Sequence, residues 1–323
     1  MGIRYLNRFL KDNASPSIKF CNLAELYGKK IAVDISIYMY RFASDDTIIE
    51  NVYLMLSVFR HYNIIPIFVF DGKPPPEKRE LLKKRKEDKK EAENEYNKLK
   101  NTLEINKDMD DADKQEIIYN MDMLKKKFVS INKNDVENVK ILIRSYGATY
   151  YDAPGEADEL CAMLNIRDKV WACLSEDMDM FVYGCPRVIR YLSLLNHTAV
   201  IYDIKGILNN LGITQKELRE ICVLSGTDYN LECDGTKNSL NITLKLFKKY
   251  HKSNSKVSFY EWLNEYNNYI KDYELLMKIH DMFDLNINYF DIKVFEKIKI
   301  INGPIMKDDI KNILKTYGFI FPI

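Results

Sequence analysis

Two apolar runs, each followed directly by an acid, lead to the fold expected for this chain: KIAV (residues 30–33) before Asp34, and IIPIFVF (residues 64–70) before Asp71. Two further runs share this composition: ATYY (148–151) and KVWACL (169–174). Short runs rich in Ile, Val, Phe, Tyr or Ala are typical of strands that are buried on both faces of a sheet. The sequence therefore predicts four buried strands.

Helical patterns lie between these strands, notably over residues 36–60 and 135–146. Gly147 stands where a helix C-cap is expected, just before the third strand. Because strands and helices alternate along the chain, we expect an α/β fold with a central, mostly parallel sheet flanked by helices.

The chain is expected to divide into four regions. Residues 1–90 and 135–230 carry the strand and helix pattern of the main body. Residues 77–130 are almost all charged or polar, which indicates a helical excursion from that body. Residues 231–323 are predicted to be helical, with Pro304 opening the last helix.

Composition excludes several classes of protein. The 323 residues are 46% hydrophobic and 29% charged, which suits a globular chain with a buried core. No stretch approaches the roughly 20 apolar residues that cross a bilayer, and the N-terminal sequence lacks a signal-peptide core. We therefore expect an intracellular protein of the nucleus or cytoplasm, or of a viral replication site if the chain is viral, without a membrane partner.

The cysteines and histidines do not form a metal-binding or disulfide pattern. The six cysteines include no C-x-x-C pair, and the four histidines are scattered. Buried reduced thiols are the expected role of these cysteines.

Acids follow every predicted strand. The seven candidates are Asp34, Asp71, Glu156, Asp158, Asp177, Asp179 and Asp228. Function collects beyond the carboxyl ends of the strands in an open parallel sheet, so the first six are expected to meet at one edge. The seventh follows a helical pattern over residues 215–224 and can reach the same edge. A single Asp after a strand is more often a turn former or helix cap, but the repetition favours a shared site.

The spacing within the two acid pairs has different consequences. Asp177 and Asp179 are two positions apart, so in an extended chain they point to the same side. Glu156 and Asp158 have the same spacing at an expected helix start, where it does not place both on one face.

So many acids cannot share a pocket as bare anions, because their mutual repulsion would raise their pKa values. Cations are therefore expected. Oxygen ligands without His or Cys select hard ions, which favours Mg²⁺, with Mn²⁺ as a substitute. Two such ions about 4 Å apart can bind the attacking and leaving oxygens of a phosphodiester. The acids therefore predict a two-metal phosphodiester hydrolase.

Six ordered motifs resemble the flap endonuclease family of structure-specific 5′ nucleases. They are MGI (1–3), IAVDISIYMYRF (31–42), FVFDGKPPPEKRELLKKR (68–85), YDAPGEADELCA (151–162), SEDMDMFVYG (175–184) and SGTDY (225–229). The similarity covers residues 1 to about 90 and 135–230. It implies a PIN-like 5′ nuclease fold, a two-metal site built from the same seven acids, a helical arch over residues 77–130 and DNA-binding helices over residues 231–323.

The resemblance also assigns roles to basic and aromatic residues. In the family, a Lys and an Arg seven positions apart approach the scissile phosphate, and Lys78 and Arg85 occupy those places. Seven residues are nearly two helical turns, so both side chains lie on one face. Tyr40 stands where the family places an aromatic that stacks on a base, although core packing is the alternative. The remaining nucleic-acid contacts predicted on this basis are Lys73, Lys83 and Lys84, with a solvated helix face as the alternative for the last two.

Three departures limit what the resemblance implies. Residues 43–57 are fewer than in cellular flap endonucleases, so recognition of a 3′ flap is not carried over. The Gly-x-Gly turn after Asp228 is reduced to Gly235, so the family's potassium site is not inferred. No sliding-clamp motif is present. A compact viral or divergent member, acting as a monomer, fits these differences.

Three functions remain open at this point. The leading one is a 5′ flap endonuclease and 5′ to 3′ exonuclease that acts in replication, repair or recombination on DNA with a 5′ flap, a nick or a free 5′ end. The second is a ribonuclease with the same fold, and the third is an inactive scaffold for branched DNA. Retention of all seven acids disfavours the scaffold, because a clustered charge destabilises a protein that has no use for it.

Overall fold

A computed structural model of the protein describes residues 3–105, 110–230, 239–267, 269–270, 272–285 and 298–321. Within these ranges a seven-stranded sheet forms the centre of the molecule, in the order β1-β7-β6-β5-β2-β3-β4. The strands are β1 (Ile18–Asn22), β2 (Lys30–Asp34), β3 (Ile65–Phe70), β4 (Thr149–Asp152), β5 (Ala172–Leu174), β6 (Arg187–Ser193) and β7 (Thr198–Asp203).

The sheet is mostly parallel, as expected. Strands β4, β3, β2, β5 and β6 run parallel to their neighbours, and only the pairs β6–β7 and β7–β1 are antiparallel. The four predicted strands are β2 to β5, at the centre and one edge. Strands β1, β6 and β7 were not predicted. Charged residues, such as Arg187 and Arg190 in β6, interrupt the apolar residues of β1 and β6, whereas β7 (TAVIYD) has an apolar run like those of the predicted strands and was overlooked.

Helices cover both faces of the sheet. They are α1 (Leu6–Asn13), α2 (Ile35–Ala43), α3 (Ile48–His61), α4 (Arg79–Ile105), α5 (Asp111–Lys125), α6 (Lys133–Ser145), α7 (Ala157–Ile166), α8 (Asp179–Tyr183), α9 (Ile204–Leu211), α10 (Gln215–Ser225), α11 (Ser239–Lys252), α12 (Phe259–Asn267), α13 (Tyr273–Met282) and α14 (Lys307–Thr316). The single helical pattern predicted over residues 36–60 is two helices, α2 and α3, because the chain turns at Asp46, where φ is 55°.

The period of two along the central strands separates two hydrophobic cores. In β3, Ile67 and Val69 pack into one core, while Phe68 and Phe70 pack into the other. The first core includes α7 and α10, and the second includes α3 and α6. Because both faces are covered, the interior positions of the central strands are apolar, and their polar residues lie at the strand ends.

The charged excursion is a pair of helices, α4 and α5, that contact each other. Leu81 and Ala92 are the buried residues of α4, which is otherwise exposed or half-buried. Lys89 donates a hydrogen bond to the carbonyl of Val129 within the excursion (2.8 Å), and Lys125 of α5 pairs with Asp46 of the body. The two helices therefore project from the sheet with few apolar contacts to the body.

The C-terminal region packs on both sides of the body. Helices α11, α12 and α13 contact α10, whereas α14 contacts α6 on the opposite face. Gly147, at φ 72°, accepts a hydrogen bond from the Gly303 amide (2.7 Å), and a Cβ on Gly147 would lie 2.5 Å from the Gly303 carbonyl oxygen. A glycine is therefore required where the C-cap was expected. Gly235 lies outside the described residues.

None of the helices in the described ranges is both long enough and apolar enough to cross a membrane.

Candidate active site

A cavity of about 510 Å³ opens beyond the carboxyl ends of the parallel strands. Six of the seven predicted acids line it: Asp34, Asp71, Glu156, Asp158, Asp177 and Asp228. The opposite wall comes from α2 and from the base of α4. The strand-end acids therefore meet at one edge of the sheet, as the strand pattern predicted.

Asp34 ends β2 at the floor of the cavity. Its side chain is buried, and its Oδ2 accepts a hydrogen bond from the Ser175 hydroxyl (2.9 Å), which lies just after β5. This bond joins the ends of two neighbouring strands. Ser175 also accepts a hydrogen bond from the Asp177 amide (3.2 Å), so one hydroxyl links two acids. Ser175 was not among the residues predicted for the site.

Asp71 follows β3 and holds the start of α7. Its Oδ1 accepts a hydrogen bond from the Ala157 amide (2.9 Å). The Gly72 amide donates to the Gly155 carbonyl (2.7 Å), and a Cβ at Gly72 would lie 1.9 Å from the Ala153 carbonyl oxygen. The Asp-Gly pair thus serves a close approach of two backbones, which brings the next acids beside Asp71.

Glu156 and Asp158 flank the first residue of α7. Glu156 is the N-cap residue with extended backbone (φ −81°, ψ 148°), and Asp158 lies in the first turn. The change from extended to helical backbone between them allows both side chains to line the cavity, which two-residue spacing inside a helix would not.

Asp177 and Asp179 do not lie in an extended segment, contrary to the sequence-based expectation. Asp179 is the first residue of α8, and its amide donates to Oδ1 of Asp177 (3.1 Å). Asp177 lines the cavity, whereas Asp179 is 98% buried behind it. The two acids are neighbours because Asp177 accepts from the helix start, not because of strand geometry.

Burial and mutual repulsion shift the acids toward their protonated forms. Desolvation, followed by the charges of neighbouring acids, raises the pKa values of Asp34, Asp158 and Asp179 well above their ordinary range. The pKa of Asp177 is also raised, chiefly by desolvation. A site of this kind stabilises nearby positive charge.

Two basic residues of the excursion meet the acids. Lys78 donates to Oε1 of Glu156, and the Arg85 guanidinium donates to Oδ2 of Asp228 (2.8 Å). Burial lowers the pKa of Lys78, but the carboxylate of Glu156 outweighs it and the net pKa is raised. The two cations predicted to face phosphate are therefore paired with two acids across the cavity.

Helix α4 brings two further lysines to the cavity, neither of which was predicted as a site residue. Lys86 and Lys89 line the cavity one and four positions beyond Arg85. Lys89 Nζ also lies 5.1 Å from the ring centroid of Tyr40, a half-exposed residue that lines the cavity too. The i, i+4 spacing from Arg85 is the signal that could have identified Lys89, whereas Lys86, one residue after Arg85, has no such signal.

Lys73, Lys83 and Lys84 lie elsewhere. All three are exposed, and none lines the cavity. The structure thus brings Tyr40 into the cavity, whereas these three lysines stay on the outer surface. Tyr229, which was not predicted, is buried and donates a hydrogen bond to Oε2 of Glu156.

The oxygen donors of the site suit a hard divalent cation in chemistry, but they are not arranged in a preformed coordination geometry. All candidate donors are carboxylate oxygens, and the buried Oδ1 of Asp179 has no hydrogen-bond partner. Among the described residues, no group of three or more His, Cys, Asp or Glu side chains is arranged to hold one metal ion. In this state Glu156 and Asp228 instead point to Lys78 and Arg85.

Both strand–helix regions of the chain match models of known domain families. Residues 1–92 match the XPG N-terminal domain and residues 147–228 match the XPG I-region. Flap endonuclease 1 of Zea mays is 32% identical over 270 residues, which cover 77% of this chain and 67% of that protein. Flap endonuclease 1-A of Xenopus laevis is 31% identical over 247 residues, which cover 71% of this chain and 61% of that protein.

Solved structures share the fold. The catalytic core of Rad2 in complex with DNA substrate has a TM-score of 0.66 at 22% identity, covering 98% of this chain and 95% of that one. Flap endonuclease-1 from Methanococcus jannaschii has a TM-score of 0.59 at 21% identity, covering 98% and 100%. Human GEN1 in complex with Holliday junction DNA has a TM-score of 0.63 at 19% identity, covering 98% and 74%.

The fold and the two matched regions define a nuclease of the XPG class. The chain belongs to the flap endonuclease family. Structure-specific 5′ flap endonuclease activity is the function that these relatives support, and the predicted family and fold are both confirmed.

Proposed function

We propose that this protein hydrolyses DNA phosphodiesters at 5′ flaps, nicks and free 5′ ends, with two Mg²⁺ ions held by the strand-end acids. The observation that carries this proposal is a single cavity in which acids from four strand ends face two cationic side chains, Lys78 just before α4 and Arg85 within it. Acids opposite cations suit a substrate that is itself a phosphate with bound cations.

The seven acids are the proposed metal ligands. The buried positions of Asp34, Asp158 and Asp179 remove water from their carboxylates, so a divalent ion would relieve their repulsion. A bound Mg²⁺ would supply Lewis-acid polarisation of the phosphate and a water of lowered pKa. Among the solved structures of this fold is a GEN1 complex with product DNA and Mg²⁺, at 15% identity.

Lys78 and Arg85 are the proposed phosphate contacts. Each is now held by one carboxylate, and each can exchange that partner for a phosphate oxygen when the acids take up cations. The guanidinium offers a fork that matches two phosphate oxygens, while the ammonium acts as a point charge. Together they would stabilise the negative charge that builds on the phosphate in the transition state.

Tyr40 is the proposed stacking platform for a base beside the cut phosphate. It is 48% exposed at the cavity rim, and Lys89 lies over its ring. Stacking on an aromatic contributes about 1 to 3 kcal/mol per base and does not depend on sequence. Lys86 and Lys89 would add salt-sensitive contacts to the backbone of the same strand.

One cleavage series tests the proposal. Labelled 5′ flap DNA, nicked duplex, single-stranded DNA and single-stranded RNA are incubated with wild type, with Asp179→Asn and with Asp152→Asn, in Mg²⁺ or in EDTA. Asp152 is the matched control, because it ends β4 but is exposed and does not line the cavity.

The expected result is Mg²⁺-dependent cutting of the flap by wild type and Asp152→Asn, with a loss of at least about 100-fold in Asp179→Asn. Equal cutting of RNA and flap DNA would contradict the proposed preference for DNA. Binding of the flap without cutting by wild type in any divalent metal would establish the scaffold function instead.

A further inference from the structure

We infer that Arg190 is a positioning residue that holds the segment carrying Asp177 and Asp179 in the geometry needed to bind a divalent metal. The inference rests on the proposed function, in which these two acids are metal ligands. Arg190 lies on β6, outside the cavity, and does not touch the reacting atoms.

The acid-bearing segment depends on contacts from outside itself. Between the end of β5 at Leu174 and the start of α8, its backbone is joined to the sheet by the hydrogen bond from the Ser175 amide to the Ile189 carbonyl (3.2 Å). The next residues, 176–178, precede the first turn of a five-residue helix. A short link of this kind needs side-chain support to keep one conformation.

Arg190 supplies that support. It is buried, and its guanidinium donates to the Glu176 carbonyl (2.9 Å) and to the sulfur of Met178 (2.8 Å). Its Nε also lies 3.5 Å from Oε2 of Glu176. Glu176 and Met178 alternate with Asp177 and Asp179 along the chain, so one side chain holds the residues on either side of Asp177.

The guanidinium is itself held in place. Its Cζ lies 5.0 Å from the ring centroid of Tyr191 and 5.7 Å from that of Tyr202. One nitrogen donates to Oδ1 of Asn7 in α1 (3.0 Å), and Tyr202 donates to the same oxygen (2.8 Å). Arg190 therefore connects the acid-bearing segment to α1 and to β7 through hydrogen bonds that are buried or partly buried.

The backbone next to Arg190 is shaped for the same contact. Tyr191 has a φ of 55°, an uncommon value for a residue with a side chain, and the pairing of β6 with β7 shifts register between Arg190 and Ser193. In this conformation the Tyr191 amide donates to Oε1 of Glu176 (2.6 Å). Strained backbone persists where the surrounding structure requires it, and here it brings a second donor to Glu176.

A lysine cannot replace these contacts. It would keep the positive charge beside Glu176 but has no planar fork to reach the Glu176 carbonyl, Met178 and Asn7 together. We therefore expect Arg190→Lys to fold but to hold Asp177 and Asp179 less firmly. Groups that orient metal ligands typically change metal affinity or activity by about 10- to 100-fold when they are altered.

The test compares Arg190→Lys with Arg187→Lys. Arg187 lies on the same strand, but its guanidinium contacts Trp171 through the backbone carbonyl (3.4 Å) and the ring (5.1 Å). Binding of Mn²⁺ in the absence of DNA is measured by electron paramagnetic resonance. Cleavage of a 5′ flap gives kcat and KM, and thermal unfolding in EDTA reports the fold.

We expect Arg190→Lys to raise the Mn²⁺ dissociation constant and to lower kcat, each by roughly tenfold, with KM for the flap within about twofold of wild type. Arg187→Lys should match wild type in all three. Unchanged Mn²⁺ affinity and kcat in Arg190→Lys would overturn the inference, as would equal losses in the two variants.

A second variant covers the case in which Arg190→Lys does not fold. Glu176→Gln removes the carboxylate that Arg190 and Tyr191 hold while keeping its size, and it should also weaken Mn²⁺ binding by several-fold. Wild-type affinity in that variant would overturn the inference. If the wild-type protein binds no Mn²⁺ and cuts no flap, the proposed function fails. If wild type and the variants all bind Mn²⁺ with equal affinity, only the inference about Arg190 fails.

Discussion

Tyr229 donates a hydrogen bond from its hydroxyl to Oε2 of Glu156, while Lys78 donates to Oε1 of the same carboxylate. The Lys78 ammonium also lies 5.7 Å from the centre of the Tyr229 ring. Burial, followed by the charges of Asp158 and Glu156, raises the pKa of Tyr229 far above its ordinary value, so the hydroxyl remains a donor. Tyr229 thus orients one acid of the cavity and lies beside the cation that pairs with it.

Removing this hydroxyl should slow cleavage without weakening DNA binding. A hydrogen bond to a charged group contributes about 1.5 to 3 kcal/mol, so we expect Tyr229→Phe to lower the single-turnover rate by roughly 10- to 100-fold. Tyr250→Phe is the control, because its hydroxyl donates to the Val257 carbonyl in the C-terminal helices (2.8 Å). A wild-type rate in Tyr229→Phe would show that Glu156 is held adequately by Lys78 alone.

Lys78 and Lys83 lie close together in sequence but should differ in effect. Lys78 pairs with Glu156 in the cavity, whereas Lys83 is exposed on the outer side of α4. We expect Lys78→Met to lower the single-turnover rate by about 100- to 1,000-fold, since it removes charge from the transition state. Lys83→Met should keep a single-turnover rate within about twofold of wild type, because a solvated charge typically contributes little. Equal losses in the two variants would contradict the assignment.

Two lysines of α4 should differ in how much each contributes to the salt dependence of DNA binding. Lys89 lines the cavity and lies over Tyr40, while Lys84 is exposed away from it. We expect Lys89→Ala to reduce the slope of log affinity against log salt by about 0.7 to 0.9, the value of one phosphate contact. Lys84→Ala should leave the slope unchanged. Fluorescence anisotropy of a labelled flap in EDTA measures both, and identical slopes in all three proteins would exclude Lys89 from the contact.

Glu220 should make stability depend on pH independently of the cavity. Its side chain is buried in α10, and burial, opposed by the charge of Lys216, raises its pKa to about 7 from an ordinary value of 4.5. The folded state therefore keeps a proton that the unfolded chain has lost. The associated stabilisation is complete below pH 4.5 and is lost as the pH rises through 7.

Glu220→Gln removes this dependence. We expect the variant to unfold a few degrees higher than wild type at pH 8, with the difference shrinking toward pH 5. Glu116→Gln, at an exposed position of α5, is the control and should follow wild type at both values. Thermal unfolding in EDTA is the measurement. A stability difference that grows as the pH falls would contradict a raised pKa for Glu220.

The central strands and their acids could be predicted because the signal is local. A strand buried on both faces must be apolar throughout, and the carboxyl ends of parallel strands must lie at one edge. Asp34 and Asp71 follow from those two rules. Strand β6 could not be found in this way, since Arg187 and Arg190 interrupt its apolar residues and its pairing decides its structure.

Contacts between distant parts of the chain were beyond sequence reasoning. The two-residue spacing of Asp177 and Asp179 places both side chains on one side only in an extended chain, but Asp179 begins α8 and is buried behind the cavity. Tyr229 ends the SGTDY motif, but the motif does not indicate its role, and Lys89 belongs to no motif; their partners, Glu156 and Tyr40, identify both.

The sequence by itself determined which carboxylates belong together and which family the chain belongs to, because both depend on residue types in a fixed order along the strands. Only the tertiary structure decided how those carboxylates are held: Ser175 between two acids, Lys78 and Arg85 against Glu156 and Asp228, and Arg190 beneath the acid-bearing segment. The reason is physical. A hydrogen bond or ion pair depends on positions in space within about 3 to 4 Å, and residues far apart in sequence reach that distance only when the whole sheet has formed.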